Sequence, residues 1–318
     1  MADAARTRTK AELERAIRSG GRTALIVNTR SRRGRRLFAT ARRRVFAGSG
    51  PAVAFPVPDP AALTATFRAA LALDPDLVIV GGGDGTLKEA VGHLVHRDIA
   101  LGVLPLGTTN NFARSLGLPL SLRGAAGVIR KGKVADVDAG LVRGEAGEDV
   151  FANMVSLGMS VAVAEGVPAG LKRIAGRTAY ALTALRRMPV HQPFRATVRT
   201  GDDTYEFATH QLNIANGAHH SGRPIAHDAG PDDRLLAVYR LGDAGRHRLA
   251  VATVRHVLAG HRRSLDEDAF ITTREVHIAT EPPMPVDVDG EIRGRTPVRV
   301  SLLPNALRVL VPQNFVDT

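Results

Sequence analysis

Two short stretches carry residue types that can handle a phosphate. One is Gly81-Gly82-Gly83-Asp84-Gly85-Thr86, directly after the apolar run 77–80. The other is Pro105-Leu106-Gly107-Thr108-Thr109-Asn110-Asn111, at the end of the run 99–106. Glycines after a buried strand let backbone N–H groups close on phosphate oxygens, and a following helix N-terminus adds a favourable dipole. A third polar turn, residues 28–34, starts at Asn28 and holds Arg30, Arg32 and Arg33, which suit charge-assisted bonds to phosphate. Together the three turns suit a triphosphate. Glycine turns alone are weak evidence, because tight packing also uses them. Neither GxxxxGK[ST] nor a full GxGxxG is present, so this is not a P-loop or a dinucleotide fingerprint. The acid is the informative residue: a turn built only for packing has no need of Asp84.

These turns must sit on a scaffold, and the pattern supplies one. Strands are expected at 23–28, 52–57, 77–80, 99–106 and 134–140, with helices at 34–47, 60–73, 86–95, 110–117 and 121–132 between them. Fully apolar strands alternating with helices imply a doubly wound, parallel α/β domain over 21–140, whose strand ends face a ligand crevice. Residues 1–20 read as a frayed helix or tail. From 141 to 318 the segments alternate with period two, which is antiparallel sheet, interrupted by one helix at 170–188. The C-terminal tail is expected to be able to pack back on the first domain.

Charge narrows the partners. The net charge is +12, and residues 1–50 hold fourteen Lys/Arg against three acids. Such a run fits a nucleotide, an anionic membrane surface or nucleic acid. Thirteen aromatics and no Trp supply a poor stacking platform, so nucleic acid is set aside. With no Cys there is no disulfide, thiolate catalysis or Cys-ligated zinc. His191, His219 and His220 lack metal-ligand spacing. No run reaches the roughly 18 apolar residues of a spanning helix, and the first sixteen residues lack the apolar core of a signal peptide. A cytoplasmic protein is expected, peripheral at the inner face of the membrane.

In order along the chain, "GGGDGT", "LGVLPLGTTNNFARSLGLP", "FANMVSLGMS" and "VDVDGE" resemble the diacylglycerol kinase catalytic family, in the bacterial lipid kinase branch similar to sphingosine and ceramide kinases. The resemblance runs from about residue 22 to about 312. It implies an α/β nucleotide domain of the NAD kinase and diacylglycerol kinase type, beside a β-rich lipid domain. It also implies an ATP- and Mg²⁺-dependent transfer of the γ-phosphate to the hydroxyl of a lipid such as diacylglycerol. By the same resemblance Asp84 belongs to the nucleotide and magnesium site. Asn28, Arg30, Gly82, Gly83, Gly85, Thr86, Gly107, Thr108, Thr109, Asn110 and Glu291 line the nucleotide, and Asp289 is the candidate base. Read without the family, Asp289-Gly290 is first of all a hairpin turn. A structural magnesium is implied at Asp233, with main-chain oxygens of Gly230 and Leu235 and support from Asp138. Its alternative is an exposed acidic turn.

Several positions depart from the family pattern. Thr29 stands for a usual Pro, Lys88 for Asn, Asn111 for Asp, His227 for Pro and Arg234 for Gly. Lys88 either reaches a phosphate or lies on the helix surface. Two other readings stay open: a soluble kinase of the NAD kinase type, and a catalytically weak nucleotide- or lipid-binding protein. The basic helices 34–47 and 170–188 are the candidates for contact with an anionic bilayer, packing being favoured for the first. Unpaired strand edges in the β half leave a homodimer open.

Overall fold

The computed structural model describes residues 6–47, 50–159, 161, 192–201, 203–216, 219–220, 223–224, 232, 234–241 and 271–317. Where the sequence suggests a frayed helix or tail there is a formed helix, α1 (Lys10–Arg18). Thr9 accepts the Glu12 N–H while the Glu12 carboxylate takes the Thr9 N–H, a reciprocal cap. Then β1 (Thr23–Asn28), α2 (Arg32–Phe46), β2 (Ala52–Val57), α3 (Leu63–Leu71), β3 (Leu77–Gly82), α4 (Asp84–Leu94), β4 (Ala100–Pro105), α5 (Asn111–Ser115) and α6 (Leu122–Lys131) follow. The strands pair in parallel in the order β2-β1-β3-β4.

Both faces of this sheet are buried, which is why its strands read as unbroken apolar runs. Ala24, Ile26, Val78 and Val80 pack with Phe67, Leu87, Val91 and Phe112 of α3, α4 and α5. Their neighbours Leu25, Val27, Leu77 and Ile79 pack with Leu13, Ala41, Val45 and Ile129 of α1, α2 and α6. Helix α2 therefore covers the sheet, leaving Arg35, Arg36, Arg42 and Arg43 exposed.

The second half is β5 (Lys133–Gly144), β6 (Gly147–Phe151), β7 (Met154–Gly158), β8 (Phe194–Thr200), β9 (Asp203–Thr209) and β10 (Gln211–Ala215). After these come the short pair β11 (His219–His220) and β12 (Arg223–Pro224), then β13 (Leu236–Leu241), β14 (Ile271–Thr273), β15 (Glu275–Glu281), β16 (Pro285–Val288), β17 (Glu291–Arg295) and β18 (Val298–Val311). Six strands form one sheet, β14-β13-β10-β7-β16-β17. It faces β8, β15 and the start of β18 across a core of Phe194, Val198, Ile278 and Val300 against Leu157, Leu212, Ile214, Val286 and Val288. The architecture is thus an α/β domain followed by a β-sandwich. The helix expected at 170–188 lies outside the described residues.

One strand joins the halves. β18 runs antiparallel to β5 from end to end, and on its other edge pairs first with β15 and then, in parallel, with β4. The register shifts between Leu303 and Leu307, where Asn305 adopts a left-handed φ of 52°. Asp138 on β5 lies opposite this bulge and is fully buried. Its Oδ1 accepts the Asn305 N–H (2.7 Å) and its Oδ2 accepts the Arg234 N–H (2.9 Å).

Part of the basic N-terminal run serves the fold. Arg6 pairs with Asp136 (2.9 Å), Arg8 with Asp76 (2.6 Å) and Lys10 with Asp317 (2.8 Å), while Arg22 bonds Asp74. Arg308 joins the same belt through Asp98 (2.6 Å).

Replacing Asp138 by Ala removes a buried carboxylate that accepts two backbone N–H groups. A loss of about 2–4 kcal/mol is expected, read as a lower urea midpoint at unchanged slope.

Candidate active site

Strands β1, β3 and β4 are neighbours, so the three polar turns at their carboxyl ends meet on one edge of the sheet. The glycine turns after β3 and β4 are in backbone contact. Leu106 and Gly107 both donate their N–H to the Gly82 carbonyl (2.9 and 3.1 Å). A Cβ on Gly107 would fall 2.4 Å from the Gly83 Cα, so no larger residue fits without parting the turns. Asn110 is buried with a left-handed φ of 50° and closes the second turn on itself. Its Oδ1 accepts the Gly107 N–H (2.9 Å) and its Nδ2 donates to the Gly107 carbonyl (3.0 Å).

Asp84 is the first residue of α4, and its carboxylate ties the two turns together. Oδ2 accepts the Thr109 hydroxyl (2.6 Å) and Oδ1 accepts the Phe112 N–H (3.3 Å) at the start of α5. The third turn joins through Asn28, whose Nδ2 donates to the Thr86 hydroxyl (3.2 Å) and whose Oδ1 accepts the Arg30 N–H (3.1 Å). Gly85, Thr108 and Arg30 are exposed at the mouth. Asn28, Arg30, Gly82 to Thr86 and Gly107 to Asn110 are therefore one cluster.

Across from it stands the β16–β17 hairpin. Val288 pairs with Glu291, leaving Asp289 and Gly290 as a two-residue loop with φ of 52° and 94°. Both angles are positive, as an Asp-Gly hairpin turn requires. The Asp289 side chain folds inward: the residue keeps some exposure, but its carboxyl lies inside the protein. Oδ2 accepts the Ala152 N–H (2.7 Å), and Oδ1 accepts those of Asn153 (3.0 Å) and Met154 (2.9 Å). Asn216, fully buried, steadies that donor segment through the carbonyls of Ala152 and Asp138 (3.1 Å each). Loss of water raises the Asp289 carboxyl from its ordinary 3.8 to about 6, against the pull of the three N–H groups and of the Lys88 charge.

Lys88 corrects the sequence reading. It lies neither on the helix surface nor toward the glycine turns, but is buried between the two halves. One turn along α4 from Asp84, its Nζ donates to the Val288 carbonyl (3.0 Å) and pairs with Asp149 of β6 (2.9 Å) and Glu291 (3.2 Å). Glu291 also bonds Arg293 (2.6 Å). Burial raises the Glu291 carboxyl, but the Lys88 and Arg293 charges outweigh it and hold it below its usual range. In this structure Glu291 belongs to that ion network. Asp149 was not singled out from sequence, where nothing sets it apart from the acids around it.

Two family models match the chain: the diacylglycerol kinase catalytic domain over residues 22–142, and the YegS C-terminal NAD kinase beta sandwich-like domain over 153–311. A Chromohalobacter salexigens protein named "Probable lipid kinase YegS-like" is 32% identical over 244 residues, 74% of this chain and 76% of that protein. A solved structure titled as a diacylglycerol kinase from Bacillus anthracis str. Sterne has the same fold, with a TM-score of 0.74 at 24% identity over 93% of this chain and 98% of that one. The chain belongs to the YegS-like branch of the diacylglycerol kinase catalytic family.

In this YegS-like kinase the third expected site is only partly described. Gly230 and Asp233 lie outside the described residues, and Leu235 is exposed beside β13. Arg234 adopts a left-handed φ of 59°, the conformation that explains a usual Gly at its position. Asp138 takes the Arg234 N–H directly. Among the described residues no three His, Asp or Glu side chains gather as a metal site, and no helix is long and apolar enough to cross a membrane.

Gly107→Ala is expected to cost about 1–3 kcal/mol in urea unfolding through crowding of the turns. Gly85→Ala, whose Cβ would meet open space, should cost little. Asp289 gives a stability signature of opposite sign to an ordinary carboxylate. With its folded value raised, its contribution is full below about 4 and is lost as pH rises through about 6. Between about pH 4 and 6, wild type should lose stability relative to Asp289→Asn.

Proposed function

We propose that this chain transfers the γ-phosphate of ATP to a hydroxyl of a membrane lipid such as diacylglycerol, with Mg²⁺. The observation that carries the reading is the Asp289 carboxyl. It is held out of water at the tip of a hairpin, and Lys88 ties that hairpin to the helix that begins at Asp84. A lipid hydroxyl needs a proton acceptor as it attacks phosphorus, and a carboxyl near 6 is ionised at pH 7 yet basic enough to take a proton. Of the roughly four lone-pair sites on a carboxylate, three accept backbone N–H groups. The remaining one is on Oδ2, which is the atom assigned to receive the proton.

The residues at the strand ends fit a polyphosphate. The glycines let the two turns close on each other with open space at Gly85, Thr86 and Thr109 bring hydroxyls, and α4 directs its N-terminus at the turns. Asp84 uses only two lone-pair sites, so it can also hold a cation. Mg²⁺, when bound, neutralises charge on the transferring phosphoryl group. Asn28 and Arg30 are assigned to the phosphates. The lipid is reached from an anionic membrane surface at the inner face, with α2 offering its exposed arginines. A soluble acceptor of the NAD kinase type is the second reading, favoured by the NAD kinase-like sandwich over 153–311.

The test is label transfer from γ-labelled ATP with Mg²⁺, to mixed micelles of total bacterial lipid and, separately, to NAD. Label in extracted lipid is expected, falling at least about 100-fold in Asp289→Asn and in Asp84→Asn. Label in NAD alone would support the second reading, and an active Asp289→Asn would return that residue to a turn.

A further inference from the structure

Lys88 buries an ammonium at the seam between the halves, where burial needs a reason. A charge removed from water costs several kcal/mol unless it is paired and hydrogen-bonded. Lys88 is nearly saturated, with Val288 O, Asp149 and Glu291 around an Nζ that has three protons. Three elements meet at the ammonium: α4 supplies the lysine, β6 the Asp149 carboxylate, and the β16–β17 hairpin both other contacts. The hairpin contacts flank Asp289 on either side in sequence, at Val288 and Glu291. The strand that holds Asp149 leads into the three N–H groups that grip Asp289.

We propose that Lys88 is a positioning residue for phosphoryl transfer: it fixes the Asp289 hairpin against the helix that starts at Asp84 and keeps the Asp289 carboxyl ionised. The inference rests on the assignment of Asp289 as proton acceptor. Geometry does the first task, because one side chain spans two elements that the chain separates by 200 residues. Charge does the second. Among the described residues, the charged groups nearest Asp289 on the elements packed against it are Lys88 from α4, Asp149 from β6, and Asp287, Glu291 and Arg293 of its own hairpin. Three of these are acids. Arg293 is turned to Asp149 (3.3 Å) and Glu291 (2.6 Å), so Lys88 is the cation whose charge opposes the effect of burial on Asp289. An Asn at this position, the usual family residue, carries no charge.

The experiment is the pH profile of kcat/KM for the full chain from pH 5 to 8, comparing wild type with Lys88→Gln. Wild type should show an acid limb near 6, and Lys88→Gln a limb moved upward by at least about half a unit. At pH 7, kcat should fall about tenfold while KM for ATP changes less than about twofold, since the turns at Asp84 remain intact. If Lys88→Gln fails to fold because Asp149 loses its lysine partner, the same profile is taken on Lys88→Gln with Asp149→Asn. A limb that stays at its wild-type position in a folded variant overturns the proposal, because a merely structural lysine would leave it unmoved. Full activity in Asp289→Asn would instead remove the assignment on which the inference rests.

Discussion

The pairing of β5 with β18 is the constraint on which the two halves depend. Eleven residue pairs run along it, and the same β18 gives its other edge to β15 in the sandwich and to β4 in the parallel sheet. β18 carries one continuous sheet from the parallel half into the sandwich, so it transmits position: shifting its register by one residue would turn its buried face outward in both cores. The bulge at 303–307 absorbs the change in direction, and Asp138 satisfies the backbone there. From that ladder follow the placement of β4, with the turn at Gly107, and that of the sandwich strands that carry Asp289.

Asp289 shows two opposed effects on one carboxyl. Three backbone N–H groups would by themselves hold it far toward the anion, as at many buried carboxylates. Removal from water works the other way and wins. The Asp-Gly pair is also a true hairpin turn. The plain reading and the functional reading of this dipeptide are therefore compatible: the positive φ that the turn imposes lets the side chain reach back to the backbone of residues 152–154.

The distribution of basic residues resolves in a similar way. Arg6, Arg8, Lys10 and Arg22 are spent on acids of the sheet edge, so the N-terminal charge excess overstates the free positive surface. What remains exposed is concentrated on α2, whose apolar side is committed to the sheet. Lys88 is the extreme case, a cation turned entirely inward. Buried ions of this kind add little net stability against an apolar substitute, but removing one partner is costly.

Sequence alone determined what depends on local pattern. Apolar runs alternating with amphipathic segments fixed the parallel sheet, period-two stretches the sandwich, and glycine turns with an embedded acid the strand-end cluster of Asn28, Asp84, Thr86, Gly107 and Thr109. These are legible because each follows from residues close in the chain. The N-terminal segment reads from sequence only as a frayed helix or tail, and its Thr9–Glu12 cap came from the structure. Tertiary structure alone decided the destination of β18, the bulge filled by Asp138, and the seam where Lys88 meets Asp149, Val288 and Glu291. Those contacts join residues up to about two hundred positions apart, as Arg308 beside Ala100 and Lys88 beside Glu291. A lysine's pairing depends on which acids the fold brings within reach of its long side chain, and periodicity and spacing contain no term for that.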